Sequence, residues 1–181
     1  MTTSYVALLR GINVGGTNTV DMADLRILLG GLGCGNVRTH LNSGNVIFTS
    51  GGSDSAALAR KIEAALAAEY GFSIRTLVRS REDLKDVVKR NPMAELAAAE
   101  PAKFTAVFFS GWPKQEAMDE IDPAEYAPDR CELVGRVLYA YFPDGLAESK
   151  LTRQFLEKRL DQEVATARNW NTLLALLSLM S

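Results

Sequence analysis

Histidine is almost missing from this chain. Among 181 residues there is one, His40, and there are two cysteines, Cys34 and Cys131. That scarcity excludes a two-histidine metal site within one chain and leaves no recognisable catalytic triad. The cysteines lie in different halves and form no C-x-x-C pair, so no disulfide framework, zinc site or other metal site is expected; both read as idle thiols. A dominant charge is also lacking: 20 basic residues face 22 acidic ones, for a net charge of −2. A protein that lives on phosphate-backbone contacts carries a positive excess, so nucleic acid is not the expected partner. Long apolar runs are absent too. Leu173 to Leu177 is among the longest and is far too short to span a bilayer, so no membrane partner is expected. Met1-Thr2-Thr3-Ser4 leads into a strand-like run without a basic region, so the cytoplasm is the expected compartment.

What remains is an ordinary globular composition, 47% hydrophobic and 23% charged. Tyr5 to Leu9 is a continuous apolar run, the mark of a strand covered on both faces. It ends at Arg10-Gly11, and Gly11 to Asn18 reads as loop. Asp21 then caps a helix with Met22, Leu25, Leu28, Leu29 and Leu32 as its stripe, while Val20 and Leu25 are placed as a hydrophobic staple. Val37 to Leu41 and Val46 to Thr49 are strands around the turn Asn42-Ser43-Gly44-Asn45. A helix with Leu58, Ile62 and Leu66 inward ends at Gly71, and Phe72 to Val78 is a further strand. Ser80-Arg81-Glu82-Asp83 caps a connecting helix that stops at Asn91-Pro92.

The order then repeats. Phe104 to Phe109 is a strand ending in Ser110-Gly111, and Lys114 to Ile121 is a short helix. Arg130 to Val134 and Val137 to Phe142 form a hairpin at Gly135-Arg136. A helix over 151–160 follows, capped by Ser149, with Leu151, Phe155 and Leu160 inward. Glu163 to Ala167 is a last strand before a C-terminal helix whose cap is Asn169. Aligning Gly44 with Gly135 brings the two hairpins into register. The reading is therefore an α+β fold: duplicated ferredoxin-like β-α-β-β-α-β units with antiparallel sheets, plus a C-terminal helix. The expected divisions are a first half over 1–79, a helical connector over 80–102 and a second half over 103–181.

This topology makes a geometric claim. The end of the first strand and the central hairpin share one sheet edge, which should gather Arg10, Asn13, Asn42 and Asn45. In the second half, Lys150 should lie near Arg168, Trp170 and Asn171. Gly11 to Gly16 has the glycine spacing of a phosphate loop, but Thr17-Asn18 stands where the lysine and hydroxyl should be, and the dinucleotide pattern is absent as well. What survives is a glycine-rich loop whose backbone N–H groups, with Arg10, could hold an anion; a plain turn is the alternative.

Four stretches together carry a resemblance: Leu8 to Gly16, Asn42 to Phe48, Ser149-Lys150-Leu151 and Arg168 to Thr172. On these residues the chain resembles the bacterial family called domain of unknown function 1697. The resemblance implies a pair of ferredoxin-like halves and places Arg10, Asn13, Asn42, Asn45, Lys150, Arg168, Trp170 and Asn171 at recurring motifs; it supplies no reaction. The leading expectation is a protein that binds an anionic small molecule of the nucleotide kind, without a cofactor, in a cleft where the two polar clusters merge and Trp170 is exposed. The alternatives are an enzyme using Lys150 or His40 as acid or base, and a single-stranded nucleic-acid binder.

Overall fold

A computed structural model describes residues 1–52 and 54–180. In the first half, strand β1 (Thr3–Leu9) leads to helix α1 (Met22–Gly31), strands β2 (Gly35–His40) and β3 (Asn45–Ser50), helix α2 (Ser55–Tyr70) and strand β4 (Thr76–Ser80). Helices α3 (Arg81–Lys89) and α4 (Ala94–Ala99) follow. The second half runs β5 (Phe104–Phe109), α5 (Gln115–Asp119), α6 (Pro123–Tyr126), β6 (Arg130–Val134), β7 (Val137–Tyr141), α7 (Arg153–Arg159), β8 (Ala165–Asn169) and α8 (Trp170–Leu179). The strands form two four-stranded sheets, ordered β2-β3-β1-β4 and β6-β7-β5-β8, with every pairing antiparallel. This is the duplicated ferredoxin-like architecture. Two compact units result, one of residues 1–85 with 176–181 and one of 86–175.

In the first unit the alternation of β1 and β3 decides which face receives helices. Tyr5, Ala7, Leu9, Val46, Phe48 and Val78 point one way and pack with Leu25 and Leu29 of α1 and with Ile62 and Leu66 of α2. Each fully buried aliphatic side chain is worth about 1.5–3 kcal/mol. Asp21 caps α1, accepting from the N–H groups of Ala23 and Asp24 at 2.8 and 3.1 Å. Gly71, at φ 75°, ends α2 in the left-handed conformation. The capping box that opens α3 is complete: Ser80 N–H donates to Asp83 Oδ2 at 2.8 Å, and Asp83 N–H to Ser80 Oγ at 3.1 Å.

The second unit repeats this plan with other side chains. Val107, Phe109, Leu138, Ala140 and Ala165 form the helix face, packed with Met118, Tyr126, Leu156 and Leu160. Equivalent bonds recur. Glu63 on α2 accepts from the Thr76 N–H at 2.7 Å, and Glu157 on α7 accepts from the Ala165 N–H at 2.8 Å, so one helix carboxylate fixes the start of the last strand in each unit.

The structure corrects several details. The Gly44–Gly135 alignment is one residue off: Leu9 N–H donates to the Gly44 carbonyl and Phe109 N–H to that of Arg136, so Gly44 corresponds to Arg136. A one-residue slip exchanges faces, and Tyr139 accordingly lies on the face opposite that of its expected counterpart Phe48. The last strand of each half ends two residues later than expected, at Ser80 and Asn169, and begins later too, at Thr76 instead of Phe72 and at Ala165 instead of Glu163. Thr152, not Ser149, caps α7, its Oγ1 accepting from the Phe155 N–H at 3.1 Å. Phe155 is exposed and Leu156 takes the inward place, because the helix starts at Arg153 rather than at residue 150 or 151.

Candidate functional site

The loop after β1 closes on itself. Val14 and Thr17 form a single antiparallel bridge, and the residues between them, Gly15 and Gly16, sit at φ 60° and 75°, as a type I′ turn requires. Asn13 N–H donates to the Asn18 carbonyl at 3.1 Å, and Asn18 Nδ2 donates to the Gly11 carbonyl at 3.2 Å. Asn13 then ties the loop to its surroundings. Its Nδ2 donates to the carbonyls of Val20 at 3.0 Å and Asn42 at 2.7 Å, while its Oδ1 accepts from the Val20 N–H at 2.8 Å. Net gains of about 0.5–1.5 kcal/mol per bond make this a firm brace for an exposed loop.

The facing turn is equally fixed. Asn45 is fully buried, and its Nδ2 donates to the His40 carbonyl at 2.8 Å and to Ser43 Oγ at 3.2 Å. A Cβ on Gly44 would lie 2.8 Å from both Ile12 Cδ1 and Leu9 Cβ, so the buried Ile12 side chain fits only over glycine. Between these braces Leu41 sits at φ 62° and is 55% exposed. A leucine in the left-handed region is a backbone outlier. Arg10 stands at the same edge, where its N–H donates to the Arg75 carbonyl at 2.9 Å. Topology and hydrogen bonds thus gather Arg10, Asn13, Asn42 and Asn45. Asn13 and Asn45 use their amides on neighbouring backbone, whereas Asn42 meets Asn13 through its main-chain carbonyl. His40 is half-buried in β2, opposite Asn45.

At the second unit's corresponding edge the chain turns differently. Pro113 follows Trp112 and the long loop is missing, so Trp112 is 69% exposed. The Arg136 guanidinium lies 5.3 Å from its ring centroid. Sequence reading missed this pair, whose only signal is a tryptophan next to proline and an arginine in a hairpin turn.

Lys150, Arg168, Trp170 and Asn171 belong to the opposite end of the second sheet, since α7 starts where β7 and β8 both finish. Lys150 and Asn171 are exposed. Trp170 is 5% exposed, its ring edge-on to Phe104 at 5.3 Å and 6.3 Å from the Tyr139 ring; the expected exposed aromatic is a core residue. Asn169 Oδ1 accepts from the Asn171 N–H at 3.0 Å, as its capping role requires. Arg168 is only 8% exposed, and its Nη1 donates to Thr166 Oγ1 and the Ala167 carbonyl, each at 2.9 Å. Burial, aided by the nearby positive charge of Arg153, pushes its pKa down to about 10. Arg79 occupies the equivalent place in β4, opposite Val6 as Arg168 is opposite Ala106, and donates to the Val78 carbonyl at 2.9 Å. A buried arginine in the last strand is therefore a property of the repeated unit.

Beside this end Glu100 accepts from Tyr141 Oη at 2.5 Å and pairs with Lys103 at 3.0 Å; the tyrosine bond first and the lysine second hold its carboxyl below the ordinary range. Among the described residues no three His, Cys, Asp or Glu side chains gather where they could hold a metal ion, and no helix is long and apolar enough to cross a membrane.

Two sheets of ferredoxin-like order, each with its helices on one face, define the class. Within it, a family described as protein of unknown function (DUF1697) matches residues 1–139, and the chain belongs to that family. The Ser149-Lys150-Leu151 and Arg168 to Thr172 stretches lie beyond the matched span. A solved structure of a conserved bacterial protein from Streptococcus pneumoniae is similar throughout, at 27% identity and a TM-score of 0.77, covering 99% of each chain. Comparison with curated proteins finds no match.

Proposed function

We propose that this chain is a ligand-binding protein whose recognition surface is the edge formed by the Arg10–Asn18 loop and the Leu41–Gly44 turn, and that its ligand is a small anionic molecule of the nucleotide kind. The observation that carries this reading is the concentration of left-handed backbone there. Asn13, Asn18 and Leu41, at φ 55°, 49° and 62°, are three of the five non-glycine residues with positive φ among the described residues, and all three belong to these two segments. Such conformations cost of order 1 kcal/mol or more each and collect at binding and catalytic sites, where rigidity is useful. Charge supports the choice of ligand: Arg10 is the one charged residue in the two segments, and neither contains an acid. Val14, 64% exposed, and Leu41 offer apolar contact to a flat group attached to the anion.

Thermal unfolding in the presence of nucleoside monophosphates, with inorganic phosphate as control, tests the reading. A nucleotide at a hundredfold excess over its dissociation constant adds about 2.7 kcal/mol, and Arg10→Ala is expected to abolish that gain. A panel that leaves the midpoint unmoved, or a gain that survives Arg10→Ala, defeats it.

A further inference from the structure

We propose that the face of the first sheet opposite α1 and α2, at its outer edge, carries a second binding cleft, one that takes a small hydroxylated anion of the sugar phosphate or sugar acid class. A cleft of about 540 Å³ opens there, lined on its polar side by Thr2, Ser4, Asn36, Arg38 and Thr49 and on its apolar side by Met180, Ile47 and Val37. That volume lies within the range of about 300–1,000 Å³ typical of small-molecule sites.

Strand register decides what lines it. Ser4, Thr49 and Gly35 form one row across β1, β3 and β2, and Val6, Ile47 and Arg38 form another. Directly opposite residues share a face, and Tyr5 and Phe48 between these rows belong to the helix face. Ser4, Thr49 and Arg38 therefore point away from α1 and α2. Gly35 keeps the first row open: a Cβ there would stand 2.7 Å from Thr49 Oγ1. The pairing shifts register between Gly35 and Arg38, and Asn36 takes φ 47° inside the shift. Bulges of this kind re-aim side chains and recur beside functional sites.

The hydrogen-bonding capacity of the cleft is open. Among the described residues, no bond engages the side chains of Thr2, Ser4, Asn36 or Thr49. Arg38 gives Nη2 to the Leu179 carbonyl, which anchors the side chain, and among the described residues no bond engages its other N–H donors. Hydroxyls that both donate and accept match the hydroxyls of a sugar. A guanidinium fork matches a phosphate or carboxylate. Among the described residues no acidic side chain lines the cleft, and Arg38 is its charged group. Val37, Ile47 and Met180 suit the C–H face of a sugar ring.

An NMR titration of the full chain with glucose 6-phosphate, with glucose and inorganic phosphate run in parallel, tests the site. Glucose 6-phosphate should shift the amide signals of Ser4, Asn36, Arg38 and Thr49 more than either control. Arg38→Gln should weaken binding roughly tenfold, the loss expected of one charge-assisted pair. The Ser4→Ala/Thr49→Val double variant should weaken it severalfold while keeping the wild-type thermal midpoint, which shows that the chain still folds. Absence of shifts at these four positions overturns the proposal. So does an equal response to inorganic phosphate that the hydroxyl variants leave unchanged.

Discussion

The two units share a plan and differ at the edge where the first strand meets the central hairpin. In the first, Ile12 is buried over Gly44 beneath a nine-residue segment from Arg10 to Asn18. In the second, Trp112 lies against Gly135, whose added Cβ would be 3.3 Å from its Cζ3, but the chain turns at once into α5 and leaves the ring in solvent. Ile12 and Trp112, each three residues past the first strand of its unit, thus both pack on a hairpin glycine, but the glycine stands one position apart in the two hairpins and what covers it differs. One edge becomes a braced loop with a single cation, the other a flat aromatic surface with a stacked guanidinium.

The largest effect that would test this comparison lies in the cores. Phe48 is fully buried where the second unit has Ala140. Phe48→Ala should cost about 3–5 kcal/mol in chemical unfolding; a loss well below that would mean the first sheet tolerates the smaller residue as the second does. The two hairpin glycines come next. Gly44→Ala meets both a φ of 91° and contacts at 2.8 Å from Ile12 and Leu9, and should cost about 2–4 kcal/mol. Gly135→Ala, at φ 62° and facing only an exposed ring, should cost about 1–2 kcal/mol. Equal losses would dissolve the distinction between the edges.

Alkaline pH should single out the second unit. Burial raises the phenols of Tyr139 and Tyr126 from about 10 to about 12, with the Cys131 contact adding to the shift of Tyr126. A raised pKa favours the protonated form in the folded chain. The stability it carries is complete below pH 10 and is lost as pH rises from about 10 to about 12. Tyr139→Phe should flatten part of that decline in a pH series of unfolding midpoints, while removing the bond from Tyr139 Oη to the Val87 carbonyl at 2.6 Å. The smallest effect belongs to the exposed pair. Arg136→Ala should change stability by about 0.5–1 kcal/mol, the worth of an exposed cation–π contact, and should shift the Trp112 fluorescence. A larger loss would mean that Arg136 supports the hairpin itself.

Much of the fold was legible because local signals agreed. The Asp21 cap and the Ser80–Asp83 box set the starts of α1 and α3, and the repeated strand-helix-hairpin order foretold the two sheets. Register was not legible. The hairpins at Gly44 and Gly135 look alike in sequence, yet the partners of β1 and β5 differ by one position, and only pairing across the sheet reveals it. Trp170 looked exposed because its neighbours are polar; its burial comes from Phe104 and Tyr139, distant in the chain. At the candidate site, topology was enough to bring Asn13 to Asn42. That Asn13 spends its amide as a brace, and that Leu41 takes a left-handed conformation, depends on the loop's own closure, which no periodicity encodes.

The register shift in β2 has a consequence for how this protein lives at high concentration. β2 is the outer strand of the first sheet, and a straight outer strand offers a row of backbone groups onto which another chain can add. Between Gly35 and Arg38 that row is broken, Asn36 is turned to φ 47°, and a charged side chain follows at once. A neighbouring chain laid along it would lose pairing within a few residues. The same irregularity that breaks the pairing row works against edge-to-edge addition of a second copy, so straightening it by deleting one residue of the shift would be expected to yield concentration-dependent assemblies.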